Sequence, residues 1–214
     1  MDPRTPGALL CDIDGVIRSF DYTEVTRLEQ AAGLAAGTVA DIAFAPEQDL
    51  PLLLGRITRA EWAAAIAAAL ARQVSAVRAR ELADAFAQAP SRVDEEVVAL
   101  VRQARGRVPV VLVSNATPWL DQDLDRLGLA DLADHVVNSS RVGLVKPDPA
   151  IYHLAAARAG VAPGRCLFVD DLAVNVEAAR TVGMTAVHYR DPDTLRDALA
   201  PLLGRVATVD QGHG

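Results

Sequence analysis

LLCDIDGVI, at residues Leu9 to Ile17, is the stretch that decides the fold of this chain. It begins as a short apolar run and then presents Asp12, Asp14 and Gly15. Side chains two residues apart in a strand point to the same face. Both carboxylates therefore share a face if the strand continues, or fan around one point if the chain bends at the glycine. The pattern predicts a buried strand whose end carries carboxylates.

The two neighbouring carboxylates need compensation if they are buried. Like charges repel, and an ionised group is costly to bury unless a cation or a proton offsets its charge. A magnesium ion prefers hard oxygen ligands in an octahedron, and strand ends of α/β sheets are where ligands usually bind. Taken alone, the stretch fits a purely structural role equally well: a buried strand followed by an acidic helix cap and a turn.

Size and charge limit the classes of protein that the chain can be. Its 214 residues can form one α/β domain, or a core with a small second domain. The formal net charge of −7, without a lysine or arginine cluster, argues against a nucleic-acid or anionic-membrane binder. No apolar run approaches the roughly 20 residues needed to cross a bilayer, and the start, MDPRTPGALL, lacks the apolar centre of a signal peptide. We expect a cytoplasmic protein, monomeric or homodimeric, in which Cys11 and Cys166 serve packing.

Helical periodicity prevails in the sequence from about residue 20 to 90. It predicts one helix over residues 23–36, and another that begins at Thr58, where the capping hydroxyl precedes Glu61 by three residues. A third helix is predicted from Ser75 to Gln88. No strand is predicted in this part of the chain.

Apolar strands alternate with helices from Ser91 onwards. Four strands are predicted there, over residues 108–116, 135–140, 165–171 and 185–189. Repeated β-α units with apolar strands are typical of a parallel, doubly wound α/β sheet, here interrupted after its first strand by the helical stretch. We predict a catalytic core, a helical cap inserted after the first strand and a flexible tail, at residues 1–19 with 91–204, 20–90 and 205–214 respectively.

Polar groups follow the predicted strands where each one ends. They are Asp12 and Asp14, Ser114 and Asn115, and Asp170 and Asp171. Because parallel strands end at one edge of a sheet, these groups can converge, and the loop GLVKPDP adds Lys146. Phosphoryl transfer through an aspartyl phosphate needs groups of these kinds: a carboxylate nucleophile, an adjacent acid/base, a hydroxyl, a lysine and a metal-binding acid.

The ordered motifs DIDGV, VSNA, GLVKPDP and FVDD resemble those of the haloacid dehalogenase-like superfamily, in its phosphatase branch with a small helical cap. The likeness spans nearly the whole chain, and DDLAVN is similar to a pattern in the phosphatase domain of soluble epoxide hydrolase. The resemblance implies a phosphatase acting on small phosphorylated metabolites, for example sugar phosphates. Val16 departs from the commonest motif, which has threonine there, while Asp14 favours phosphate esters over haloacids.

The resemblance also implies roles for individual residues. Asp12 corresponds to the nucleophile, Asp14 to the acid/base and Lys146 to the lysine that steadies nucleophile and phosphate. Mg²⁺ would be held by the carboxylates of Asp12 and Asp171 and by the backbone carbonyl of Asp14. Phosphate and substrate binding falls to Gly15, Ser114, Asn115, Lys146 and, as a guess, Arg18. Asp170 and Asn175 are expected next to the metal ligands rather than on the metal.

Other functions and site residues stay open at this stage. A phosphomutase would use the same groups with a cap that excludes water, and a haloacid dehalogenase would share the fold. A phospho-acceptor signalling module has its acidic groups in the reverse order, and an idle interaction protein would not need every chemical group. Trp62 and Trp119 are interpreted as packing residues, and His153 and His188 as structural.

Overall fold

The computed structural model describes residues 5–203. Its strands are β1 (Ala8–Cys11), β2 (Arg18–Phe20), β3 (Ser91–Val93), β4 (Val110–Ser114), β5 (His135–Asn138), β6 (Cys166–Asp170) and β7 (Thr185–His188). Its α-helices are α1 (Thr23–Ala31), α2 (Thr38–Ala43), α3 (Pro46–Leu53), α4 (Arg59–Leu70), α5 (Ala76–Ala87), α6 (Glu95–Arg105), α7 (Leu120–Arg126), α8 (Ser139–Val142), α9 (Pro149–Arg158), α10 (Ala173–Thr181) and α11 (Pro192–Leu203).

Five strands form one parallel sheet, as the sequence predicted, and their order in it is β5-β4-β1-β6-β7. β1 lies at its centre, where Leu9 pairs with Val110 on one side and Leu167 on the other. Its four residues are fully buried because helices cover both faces of the sheet, which explains the continuous apolar sequence. The four strands predicted after Ser91 are confirmed as β4 to β7.

Alternation along β1 distributes its side chains between two cores. Leu9 and Cys11 pack with α6, α7 and α11 on one face of the sheet, whereas Ala8 and Leu10 pack with α9 and α10 on the other. Full burial of a leucine or valine stabilises the fold by about 1.5–3 kcal/mol relative to leaving it exposed. Both cysteines, Cys11 and Cys166, are free and buried in these cores. The two cores hold the central strand, and hence the residues that follow it, in a fixed position.

Helices α1 to α5 form a separate hydrophobic cluster between β2 and β3. The capping box predicted at Thr58 is present, with the Glu61 backbone N–H donating to the Thr58 hydroxyl at 3.2 Å. β2 pairs with β3 in antiparallel fashion, with Arg18 opposite Val93, and this pairing was not predicted. Strands of three residues carry too little alternation to be read from sequence. The division into core and cap remains a prediction.

Helix boundaries differ from prediction at several places in this cluster. α1 ends at Ala31, before Gly33, rather than at Ala36, and the helices α2 and α3 were not predicted. The predicted tail, 205–214, lies outside the described residues. Within residues 5–203, no helix has the length and apolar character that crossing a membrane requires.

Candidate active site

Asp12 directly follows the central strand and is the most deeply placed of the acidic groups after it. Its backbone N–H still pairs with the sheet, donating to the Val169 carbonyl at 2.9 Å, and the residue is only 5% exposed. One carboxylate oxygen accepts from the backbone N–H of Ile13 at 2.7 Å. The chain then turns at Gly15, whose φ of 87° is a left-handed conformation. The predicted bend thus places Asp12 and Asp14 around one cavity.

Lys146 is buried between two carboxylates. Its Nζ lies 2.8 Å from Oδ1 of Asp12 and 2.7 Å from Oδ2 of Asp170. The side chain of Asn115 fixes the loop that carries it, because the Asn115 amide donates to the Lys146 carbonyl at 2.9 Å and accepts from the Lys146 N–H at 2.7 Å. Asn115 therefore contacts the lysine loop, and its predicted contact with substrate remains a prediction.

Asp170 is fully buried and has hydrogen-bond partners on both carboxylate oxygens. Oδ1 accepts from the backbone N–H of Leu172 at 2.8 Å and from the Asn175 amide at 3.0 Å, and Oδ2 binds Lys146. Asn175 is fixed in turn, because its backbone carbonyl accepts a hydrogen bond from the Tyr152 hydroxyl at 3.0 Å. These contacts leave Asp170 little capacity for a further ligand.

Asp171 is half-buried and lies against the turn at Gly15. A Cβ atom built on Gly15 would meet Oδ2 of Asp171 at 2.1 Å, so the close approach of carboxylate and backbone requires glycine. The ring Nε2 of His188 lies 2.8 Å from the carbonyl of Asp171, which gives this histidine a structural contact. Asp12, Asp170 and Asp171 offer carboxylate oxygens within 4.8 Å of one another, so three acidic side chains surround one point.

Negative charge exceeds positive charge around this cluster. Among the described residues, the cations paired with the carboxylates of Asp12, Asp14, Asp170 and Asp171 are Lys146 and Arg18. Burial raises the pKa of Asp12 to about 7 against the opposing pull of Lys146, with Asp170 adding to the rise. Burial lowers the pKa of Lys146, but the attraction of Asp12 and Asp170 outweighs it and raises that pKa overall. A cluster of carboxylate oxygens with excess negative charge is a suitable binding site for a divalent cation.

The hydroxyl of Ser114 lacks a hydrogen-bond partner among the described residues. Ser114 ends β4, is 1% exposed and lines the same cavity as Asp12. A buried hydroxyl without a partner costs free energy, and native structures contain few of them. An anionic ligand beside Asp12 would supply the missing acceptor.

Arg18 and Asp14 form an ion pair at the cavity wall. Nη2 of Arg18 lies 3.3 Å from Oδ2 of Asp14, and Nε contacts the other oxygen more closely. The guanidinium is 6% exposed and also lies 3.6 Å from Oδ2 of Asp123 and over the ring of Phe20. Two carboxylates thus share its charge, and direct substrate binding by Arg18 remains a prediction.

The predicted site residues line one cavity of about 340 Å³. Those with a surface in it are Asp12, Asp14, Arg18, Ser114, Asn115, Lys146, Asp171 and Asn175. Gly15 and Asp170 lie just behind this surface, against Asp171 and Lys146. Asp123 and Asp49 also line the cavity and were not predicted to do so. Lys146 is the only lysine of the chain, which is a further sequence signal for its role.

Comparison with protein families agrees with this geometry. The model of the haloacid dehalogenase-like hydrolases matches residues 6–183. The chain belongs to this family. This haloacid dehalogenase-like hydrolase is 29% identical to Phosphatase MT3486 of Mycobacterium tuberculosis (strain CDC 1551 / Oshkosh), with 97% of this chain and 98% of the relative covered.

Solved structures share the fold of this hydrolase. The HAD family enzyme BT-2542 from Bacteroides thetaiotaomicron, in complex with magnesium and inorganic phosphate, superposes with a TM-score of 0.64 at 20% identity, covering 86% of this chain and 94% of that one. The L-2-haloacid dehalogenase from Xanthobacter autotrophicus superposes with a TM-score of 0.61 at 20% identity, covering 92% and 83%. The fold is therefore shared with a haloacid dehalogenase and with a HAD family enzyme that binds magnesium and inorganic phosphate.

Proposed function

We propose that this hydrolase is a Mg²⁺-dependent phosphatase that hydrolyses small phosphorylated metabolites through an aspartyl phosphate on Asp12. The observation that carries the proposal is the presence of a second carboxylate, Asp14, in the cavity that Asp12 shares with the unpartnered hydroxyl of Ser114. Hydrolysis of a phosphate ester needs a nucleophile, an acid for the leaving group and donors for the phosphoryl oxygens. The cavity contains all three.

Asp12 is the proposed nucleophile. In the first step one of its carboxylate oxygens bonds to phosphorus while the bond from phosphorus to the ester oxygen breaks, and Asp14 gives its proton to that oxygen as the alcohol leaves. In the second step Asp14 takes a proton from water, the water oxygen bonds to phosphorus, and inorganic phosphate leaves as the Asp12 carboxylate is restored. Arg18 holds the Asp14 carboxylate at the cavity wall between these steps.

Lys146 and Ser114 are the proposed partners of the phosphoryl group. The lysine ammonium already lies 2.8 Å from the Asp12 carboxylate, so it offsets negative charge where the phosphoryl oxygens arrive. The Ser114 hydroxyl is free to donate to one of them. Asp170 and Asn175 act through Lys146, because their hydrogen bonds fix the position of its side chain.

Asp12 and Asp171, with the backbone carbonyl of Asp14, are the residues that we expect to hold Mg²⁺. Asp171 is favoured over Asp170 because the oxygens of Asp170 are already engaged by Lys146, Leu172 and Asn175. When bound, the ion neutralises charge on the nucleophile and the phosphoryl oxygens. A magnesium complex of the structurally similar BT-2542 supports this assignment.

Removal of the metal is expected to abolish hydrolysis of p-nitrophenyl phosphate and leave the protein folded. The two sheet cores do not depend on the ion, whereas the carboxylate cluster does. The measurement is release of p-nitrophenol after treatment with a chelator, followed by titration with Mg²⁺, with circular dichroism as the control for folding. Hydrolysis that persists undiminished in excess chelator would contradict the metal assignment. Chloride release from 2-chloropropionate, with no phosphate ester cleaved, would favour a dehalogenase.

Substitution of Gly15 by alanine is expected to lower kcat on p-nitrophenyl phosphate at least tenfold, because the new Cβ displaces the Asp171 carboxylate. Gly37→Ala is a matched control: Gly37 has a φ of 89°, close to the 87° of Gly15, but no atom within 4 Å of the added Cβ. Both variants should lose about 1 kcal/mol of stability to backbone strain. Only Gly15→Ala should lose activity, and equal kcat values in the two variants would contradict the placement of Asp171.

A further inference from the structure

Six aromatic side chains line the cavity around the proposed phosphate site. We call them the aromatic wall: Phe20, Tyr22, Phe44, Trp62, Phe86 and Trp119. The chain has only four phenylalanines, three tyrosines and two tryptophans, so most of its aromatic residues converge on this one cavity. Four of the six, Tyr22, Trp62, Phe86 and Trp119, also pack in the helical cluster, whereas Phe20 and Phe44 are exposed.

The rings of the aromatic wall form an ordered array. Tyr22 stacks on Phe86 with ring centroids 4.7 Å apart and planes 9° apart, and Phe20 stacks on Tyr22 at 6.1 Å. Phe44 contacts Phe86 edge-on, with ring centroids 5.5 Å apart, and the ring centroid of Trp62 lies 5.8 Å from that of Phe86. Offset stacked and edge-on rings at these distances attract one another beyond the effect of area burial alone. A further flat ring entering the cavity would extend the array.

Large apolar side chains stay exposed at the edge of the same cavity. Phe44 is 55% exposed, Leu172 53% and Phe20 38%, although all three line the cavity. Exposed aromatic and aliphatic groups cost free energy in water, and their concentration at one opening is typical of a binding site for an apolar group. Ligand binding would remove this surface from water.

Charged groups that face the aromatic wall are partly engaged by other residues. The Arg18 guanidinium lies over the Phe20 ring and is paired with Asp14 and Asp123. The Arg59 guanidinium lies 4.7 Å from the centre of the Trp119 ring, which engages its charge in a cation–π contact. Burial raises the pKa of Asp49 to about 6. A sugar hydroxyl that lies against the faces of these rings would lose its hydrogen bonds to water without a replacement, and the free donor of the wall is Nε1 of Trp62, which has no partner among the described residues.

We propose that the alcohol portion of the substrate is a flat aromatic group, so that the natural phosphate ester is an arylalkyl phosphate rather than a sugar phosphate. The inference rests on the proposed phosphatase function and specifies its substrate class. Phosphate faces Asp12, Ser114 and Lys146, and the ring lies against the aromatic wall. A long alkyl chain fits less well, because stacked rings form part of the wall of this cavity of about 340 Å³.

The test compares phosphates of primary alcohols, so that leaving-group reactivity stays nearly constant. The probes are benzyl, cyclohexylmethyl and octyl phosphate, with glycerol 1-phosphate and glucose 6-phosphate as polar members. We expect kcat/KM for benzyl phosphate to exceed that for the two polar probes by roughly 10- to 100-fold, mainly through KM. Benzyl phosphate should also exceed cyclohexylmethyl phosphate severalfold, because only the flat ring stacks.

Phe44→Ala is the first variant to measure, since the side chain is largely exposed and its loss does not threaten the fold. The ratio of kcat/KM for benzyl phosphate over glycerol 1-phosphate should fall about fivefold. Leu50→Ala is the matched control: it shortens another exposed apolar side chain of the same helical cluster, outside the cavity lining, and should leave the ratio unchanged. Equal ratios in Phe44→Ala and Leu50→Ala would overturn the proposal.

Binding measured without turnover separates this proposal from the proposed function. Both tryptophans of the chain line the cavity, so probe binding to the Asp12→Asn variant can be followed by intrinsic fluorescence. Absence of hydrolysis for every probe would overturn the phosphatase function, while the order of dissociation constants would still decide the substrate class. The proposal is overturned if glycerol or glucose phosphate binds as tightly as benzyl phosphate, or if cyclohexylmethyl or octyl phosphate binds equally well.

Discussion

Replacement of Asp12 by asparagine is expected to lower kcat on p-nitrophenyl phosphate by roughly a thousandfold or more while the protein stays folded. An amide has the same shape as the carboxylate but is a poor nucleophile. Its oxygen can still accept from the backbone N–H of Ile13, and Lys146 keeps its ion pair with Asp170. The measurement is the steady-state rate with saturating Mg²⁺, beside thermal unfolding of the same preparation.

Asp41→Asn provides the matched control for this substitution. Asp41 lies exposed on α2, outside the cavity, and the chemical change is identical. Its kcat should equal that of the wild type. Hydrolysis by Asp12→Asn at the rate of the Asp41 variant would exclude Asp12 as the nucleophile.

Replacement of Lys146 by methionine is expected to destabilise the protein by about 3–5 kcal/mol, because it leaves buried carboxylates without their cation. Nζ of Lys146 lies within 2.8 Å of Asp12 and 2.7 Å of Asp170, and the lysine side chain is 1% exposed. Activity should fall at least a hundredfold as well, since no other cation lies as close to the nucleophile among the described residues. Chemical denaturation and kcat measure the two effects separately.

A double variant distinguishes the structural and catalytic parts of this effect. Lys146→Met combined with Asp170→Asn removes one charge of each sign and should recover much of the lost stability, because the uncompensated Asp170 carboxylate is gone. Activity should not return, since the phosphoryl group still lacks its ammonium partner. Recovery of activity together with stability would show that Lys146 acts only through the fold.

The parallel sheet and the convergence of acidic groups could be predicted from sequence because both depend on local pattern. Each strand of the sheet is a run of four or five residues with apolar character, and parallel strands end at a common edge. Asp12, Ser114 and Asp171 stand at or directly after the ends of three of these strands. They therefore lie close together at that edge. The family resemblance supplied their roles, and the geometry is compatible with them.

Contacts between distant residues could not be predicted in this way. The position of α2 depends on the buried Glu29, whose carboxylate accepts from the backbone N–H groups of Gly37 at 2.9 Å and Val39 at 2.7 Å. Likewise, the pairing of Arg18 with Asp123 joins two segments with no pattern in common. Such contacts depend on tertiary packing rather than on local periodicity.

The aromatic wall could not be predicted from the sequence either, and Trp62 and Trp119 were interpreted as packing residues. Trp62 and Trp119 do pack in the helical cluster, and the interpretation is correct to that extent. Both rings also line the cavity, together with Phe20, Phe44 and Phe86 from other elements. Helical spacing shows which side chains face inward, but it cannot distinguish a core from the wall of a cavity.

Trapping of the phosphorylated enzyme tests the central claim most directly. The enzyme is mixed with Mg²⁺ and p-nitrophenyl phosphate, quenched in acid during turnover, digested and analysed by peptide mass spectrometry. We predict one phosphoryl group on the peptide that contains Asp12, and none in the Asp12→Asn variant. Turnover of the phosphate ester with the phosphoryl group on another residue, or with no phosphorylated peptide at all, would contradict the account.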